Sequence, residues 1–350
     1  VSAKGSAEAW LEPLDRARTA LFVRALRFEP LRPLLLAKRR RIPALLLAHA
    51  AVAFVLSVFA PTLLLVLGPL LLGVPHLLAD IRYLVLRPRF AAPARRWLLG
   101  GCVVLLGVRL AELTFAVSLS RYELPLAVFW VGGCALLGAQ RLRDPRLIAM
   151  SVLLTAFGAA AWFHPSYLKM ALSHGHNALA VAVWAFAFCP ARRIGLAIFL
   201  LLAAITFVLL LTPLAGLGLQ HGIVQSFGLH SLAVVDQLAP FARSLPLALG
   251  VVAAFAFLQS LHYAVWLHAI PQEVTRGEGT LSFRMSFRAL RSDLGLAGGA
   301  LSTLLVVTVP VCGVLAPLRT QAVYLSLASF HAYLELGALS LCWLARLRLA

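Results

Sequence analysis

Charge is scarce in this chain of 350 residues, and negative charge is scarcest. Only 13% of residues are charged, and 13 Asp and Glu stand against 31 Lys and Arg. A soluble domain carries about a quarter. The two or three soluble domains that the length alone would suggest are therefore excluded. Cysteine is sparse too: Cys102, Cys134, Cys189, Cys312 and Cys342 are scattered, with no Cys-x-x-Cys, which speaks against a disulfide framework. No nucleic-acid motif accompanies the net charge of +18, and the basic residues fall between apolar runs rather than along one face. Nucleic acid is thus not an expected partner. No internal repeat is evident, which leaves an inverted-repeat transporter without support. The first forty residues are basic and broken by prolines, unlike a cleavable signal peptide.

What fills the chain is hydrocarbon: 61% of residues are hydrophobic. Apolar runs near the roughly twenty residues needed to cross a bilayer recur at 42–59, 61–86, 97–119, 124–140, 147–163, 167–188, 195–212, 245–268, 295–316 and 321–344. The expected fold is all-α, a polytopic transmembrane bundle of about ten helices in the inner (cytoplasmic) membrane. On that count, 25 of the 31 Lys and Arg fall in the N-terminal tail, 87–96, 141–146, 189–194, 270–294 and the C-terminal end. The opposite loops hold only Arg121, Lys169, Arg243 and Arg319. This alternation predicts that both termini are cytoplasmic. Residues 1–41 read as a basic amphipathic segment on the anionic inner leaflet, and 42–350 as one membrane domain. Two long loops suggest helices of their own, a re-entrant or interfacial one within 213–244 and a basic surface helix from Phe283 to Leu290.

Ionisable groups inside membrane helices are expensive, which makes them functional candidates. Here they are mostly histidine. The second expected helix carries Gly73-Val74-Pro75-His76 and then Asp80, one turn on along the same face. The sixth carries Ser173-His174-Gly175-His176-Asn177, and the eighth carries His262-Tyr263, Trp266 and His268. The tenth carries His331 and Glu335, again His and carboxylate at i, i+4. At about 1.5 Å per residue, these histidines lie in the middle of the membrane. His76, His174, His176, His262 and His331 are therefore candidate metal ligands. Asp80 and Glu335 are either ligands or acceptors that orient the imidazoles, and Tyr263 is a further catalytic candidate. Fe(II) is the expected metal, with Zn and Cu as alternatives. His49 reads as a helix–helix hydrogen-bonding residue, His164 and His268 as interfacial, and His221 and His230 as loop residues. Arg109 and Glu112, three apart, are expected to pair.

The run Gly73-Val74-Pro75-His76 followed by Asp80 resembles the Gly-x-Pro-His-x-x-x-Asp motif of the Brp/Blh family of membrane β-carotene dioxygenases. The later order is similar: a central His (His174 or His176), a His pair (His262 and His268), then His331 with Glu335. The chain departs from that pattern at His174-Gly175-His176-Asn177, where the family has His-Phe-Gly with an Asp three residues on. It departs again at Trp266, where the family's second His of the pair would fall. The resemblance implies non-haem iron held by histidines of several helices and oxidative cleavage of a carotenoid.

The residues and the resemblance together predict a membrane-embedded non-haem iron oxygenase acting on a lipid-soluble substrate, whether carotenoid, isoprenoid or acyl chain. The rival is a metal-ion or proton transporter using the same His/Asp/Glu set, and a haem electron carrier is a third reading.

Overall fold

A computed structural model describes residues 9–115, 117, 119–217, 238–239, 241–275 and 282–347, and these contain helices and no strand. The main helices are α1 (Glu12–Leu26), α2 (Lys38–Phe59), α3 (Pro61–Leu86), α4 (Ala92–Phe115), α5 (Ser120–Gly138), α6 (Pro145–Phe163), α7 (Pro165–Val183), α8 (Arg192–Leu211), α9 (Leu245–Val274), α10 (Phe283–Leu315) and α11 (Pro317–Ala345). Eight of them, α2, α3, α4, α6, α8, α9, α10 and α11, are long and apolar enough to cross a membrane. The other two expected spans are also helical. In α5 the apolar stretch is shorter, Tyr122–Gly138. In α7, Ser173, His174, His176 and Asn177 dilute the apolar character.

Burial sorts the helices by position. The apolar window of α9 is 72% buried, against 11% for α6 and α10. A helix apolar all round belongs at the centre, and α9 packs against α2, α3, α7 and α8. The carboxyl half of α11 packs against α4 and α5. The exposed Leu and Val of α6 and α10 form the apolar outer surface that lipid chains would wet.

One end of the bundle gathers the basic segments. The helix α2 begins at Lys38, so the Lys38–Arg41 run forms its first turn rather than the end of a separate tail. Lys38 donates to the carbonyls of Glu273 and Thr275 (3.0 and 2.8 Å), and Arg41 to Gln272 Oε1 (3.2 Å). Arg82 and Arg87 both pair with Asp293 at 2.8 and 3.0 Å. The helix α1 docks on the start of α10: Trp10 meets Phe287 edge-on, and the Asp15 carboxylate accepts the Phe283 and Arg284 backbone N–H groups. Partial burial pulls the Asp15 pKa up, but those two N–H groups and the Arg284 guanidinium outweigh it and hold it below the ordinary range. The expected surface helix at Phe283–Leu290 is the first part of α10. It is divided from the spanning part at Gly295, whose φ of 70° only glycine adopts without strain. Most of the expected 213–244 loop helix, with His221 and His230, lies outside the described residues.

Candidate metal centre

Four helices converge at mid-bundle, and each brings an imidazole. His76 comes from α3, His176 from α7, His262 from α9 and His331 from α11. His262 Nε2 lies 2.6 Å from His76 Nε2, and His331 Nε2 lies 3.2 Å from His176 Nε2. Ring centroids are 4.9 Å apart for His76 and His331, and 5.1 Å for His176 and His262. Ligand atoms of His76, His262 and His331 all fall within 4.8 Å of one another, as do those of His76, Asp80 and Glu335. Imidazoles bind an ion at about 2.0–2.1 Å, so the close set for one ion is His76, His262 and His331, with His176 beside it through His331.

The tautomers decide what those nitrogens offer. His176 Nδ1 bonds the Leu172 carbonyl at 3.2 Å, and His331 Nδ1 bonds the Ala328 carbonyl at 2.5 Å. A carbonyl only accepts, so both Nδ1 atoms carry the proton. In the neutral rings both Nε2 atoms then present lone pairs, facing each other across 3.2 Å. Two lone pairs repel unless a cation lies between them. Backbone carbonyls that fix the outer nitrogen while the inner one faces a shared centre are the usual support of metal-bound histidine. His76 and His262 lack this anchor, since their buried Nδ1 atoms have no hydrogen-bond partner among the described residues.

The carboxylates complete the centre. Asp80 and Glu335 are fully buried; Asp80 has no hydrogen-bond partner among the described residues, and Glu335 has the Trp266 indole beside it. Each lies against an imidazole nitrogen: Asp80 Oδ2 is 3.3 Å from His76 Nε2, and Glu335 Oε1 is 3.6 Å from His262 Nε2. Both approach the nitrogen that faces the centre and not the outer Nδ1. A dication would cancel the two negative charges, which otherwise sit uncompensated in a low-dielectric interior.

A cavity of about 390 Å³ opens on the imidazole side of the cluster, lined by all four histidines, by Tyr263 and by polar groups including Asn177, Gln259 and Gln321. Asp80 and Glu335 do not line it. The centre thus presents neutral imidazoles to the cavity and keeps its negative charge behind them. On the other side, Trp266 stands 6.4 Å from His76 and is fully buried. Tyr263 keeps the position its sequence neighbourhood suggests, its ring 5.4 Å from that of His76.

Not every expected residue joins the cluster. His174 points away: its Nε2 bonds the Leu238 carbonyl at 3.0 Å and its ring packs on Phe255. His268 bonds Gln272, and His49 bonds the carbonyl and hydroxyl of Ser260 on α9, the helix–helix role expected of it. Two further groups at the cavity are not evident from spacing. Tyr324 is buried against α3, so close that a Cβ at Gly73 would come within 2.3 Å of its ring. Arg109, which pairs with Glu112 as expected, also pairs with Glu123 of α5 and donates to Ser329 Oγ at 3.2 Å. Only the next helix supplies Glu123, so no i, i+4 rule could have found it.

Compared with known proteins, the chain matches no family model, no curated protein and no solved structure. Its class therefore rests on the fold and the centre: a multi-pass helical membrane protein with a buried four-histidine, two-carboxylate cluster.

Proposed function

We propose that this protein is a membrane-embedded non-haem Fe(II) oxygenase acting on a lipid-soluble substrate such as a carotenoid, isoprenoid or acyl chain. The observation that carries the reading is the pair of tautomer-fixed lone pairs of His176 and His331, facing each other in a cluster where buried Asp80 and Glu335 lie against His76 and His262. The two close sets, His76 with His262 and His331 and His76 with Asp80 and Glu335, offer mixed nitrogen and oxygen ligands, and a three-ligand set of that kind leaves open positions, which suits Fe(II). Such an ion, when bound, supplies O₂ binding and activation. The chain's own part is to hold the imidazoles by backbone carbonyls, to keep the counter-charge behind them, and to offer a cavity for the reacting part of the substrate. Tyr263 lines that cavity and can orient a polar atom there. We place the protein in the cytoplasmic membrane with ten spans and both termini inside, because its basic residues alternate from loop to loop. The basic N-terminal segment then rests on anionic headgroups of the inner leaflet.

A transport path built from the same residues would need polar groups continuing beyond the cluster on both sides. Trp266 interrupts that route: it flanks His76 and also lines a separate cavity at the basic end of the bundle. This favours the enzyme reading.

Metal analysis of protein purified in detergent without chelator, together with its absorption spectrum, tests the proposal. The expected result is about one equivalent of iron in the wild type. His76→Ala and His262→Ala should lose it, whereas His174→Ala should keep it. A wild type without bound metal would sink the enzyme reading. Loss in His174→Ala with retention in His176→Ala would overturn the assignment of ligands.

A further inference from the structure

A second, almost wholly apolar groove of about 670 Å³ runs between α5, α6, α7 and α11. Its outer wall includes Leu153 of α6 and Trp343 of α11, both exposed on the outer surface of the bundle. Its inner end reaches His176 and Tyr333, and both residues also line the polar cavity at the metal centre. His176 thus forms the partition between an apolar space that opens toward hydrocarbon and a polar space that faces the cluster. Along α11 the groove extends from Tyr333 to Trp343, about 15 Å at 1.5 Å per residue. It is a slot rather than a round pocket.

We infer that this groove is the lateral entrance for the substrate, and that the substrate is a long, narrow, apolar chain drawn sideways from the bilayer, with its reacting segment beside His176. The assignment of a reaction to that chain rests on the oxygenase reading, whereas its binding does not. Apart from Ser340 and the polar tips of Tyr333 and Trp343, the groove offers an entering molecule only apolar side chains and the backbone before it meets His176. A headgroup or a hydrated ion would lose its water there without compensation. An extended hydrocarbon loses nothing on leaving the surrounding lipid and gains the cavity beyond His176, whose Asn177 and Gln259 can receive an oxygen-bearing end.

Gly175 makes the inference testable. It lines the groove next to His176, is exposed, and a Cβ there would meet no atom within 4 Å. Gly175→Leu therefore has room at its Cβ and adds bulk to the slot, at a helix position where leucine is also the better helix former. The probe is a diazirine-bearing hydrocarbon chain in lipid nanodiscs, photoactivated and mapped by peptide mass spectrometry, with the iron content measured on the same samples. Wild type and Gly175→Ala should be labelled on the α7 and α11 segments that line the groove. Gly175→Leu should lose that label at least tenfold while keeping its iron and its labelling on α8. Labelling spread evenly over the outward-facing helices and unchanged by Gly175→Leu would mean annular lipid only, and would overturn the entrance. Groove labelling that responds to Gly175→Leu in a protein without iron would sustain the entrance and remove the oxygenase reading instead.

Discussion

Asp80→Asn combined with Glu335→Gln is expected to strip the protein of its metal and yet to make the metal-free protein more heat-stable. Among the described residues these two carboxylates lie against the imidazoles of His76 and His262, and the one donor beside them is the Trp266 indole at Glu335. With a dication present they neutralise it. Without them a doubly charged ion would sit among neutral rings in an interior where uncompensated charge is very costly. Metal affinity should fall roughly a hundredfold or more, at or beyond the upper end of what loss of a supporting carboxylate causes. In metal-free protein the sign reverses, because the two buried carboxyls lose their counter-charge and must take up protons or bear the cost of burial. Replacing such groups by neutral ones of similar shape is often neutral or stabilising by about 1–4 kcal/mol. Metal titration and thermal unfolding of chelator-treated samples at neutral pH check both halves. A double variant that melts below the metal-free wild type would show that these carboxylates are held by the protein itself and not by an ion.

Arg109→Met should be the most damaging single change outside the centre, destabilising the fold by about 3–5 kcal/mol, the usual consequence of breaking a buried ion pair on one side. Arg109 is buried and holds Glu112 of its own helix, Glu123 of α5 and the hydroxyl of Ser329, two residues before His331. The guanidinium therefore ties α4, α5 and α11 together at the edge of the cavity. Lysine should not substitute, since a single ammonium cannot reproduce a planar fork shared among three acceptors. Adding Glu123→Gln to Arg109→Met should recover part of the loss, because the amide no longer leaves an anion in the interior. In a double-mutant cycle this coupling should be about 0.5–3 kcal/mol. Additive effects of the two changes would show that the pair does not interact. Detergent stability and expression level read the loss, and iron content in the surviving protein should stay near the wild-type ratio, since Arg109 holds no ligand directly.

Much of the centre was legible from spacing alone. His76 with Asp80 and His331 with Glu335 stand four residues apart, and on any helix that places imidazole and carboxylate on one face one turn apart. That His76, His176, His262 and His331 fall at heights that let them meet was legible too, because a helix rises by a fixed amount per residue. The choice between His174 and His176 was not. They are two residues apart, about 200° around the helix at 3.6 residues per turn, so one faces the cluster if the other faces away. Which one does depends on how α7 is rotated against α9 and α11, and nothing within α7 itself sets that rotation. The same reason hid Glu123 and Tyr324, whose partners lie on other helices.

Composition and the apolar runs by themselves determined an all-helical chain whose helices are long and apolar enough to cross a membrane and carry ionisable groups within them. Hydrocarbon penalises every exposed polar group whatever the packing, so that signal is written residue by residue. The tertiary structure alone decided that four imidazoles meet and that His176 joins them in place of His174. It alone placed both carboxylates behind the rings and put an apolar slot beside His176. These are matters of helix rotation and of contact between distant segments, and they are settled by the fit of side chains across helix interfaces, which no single helix encodes.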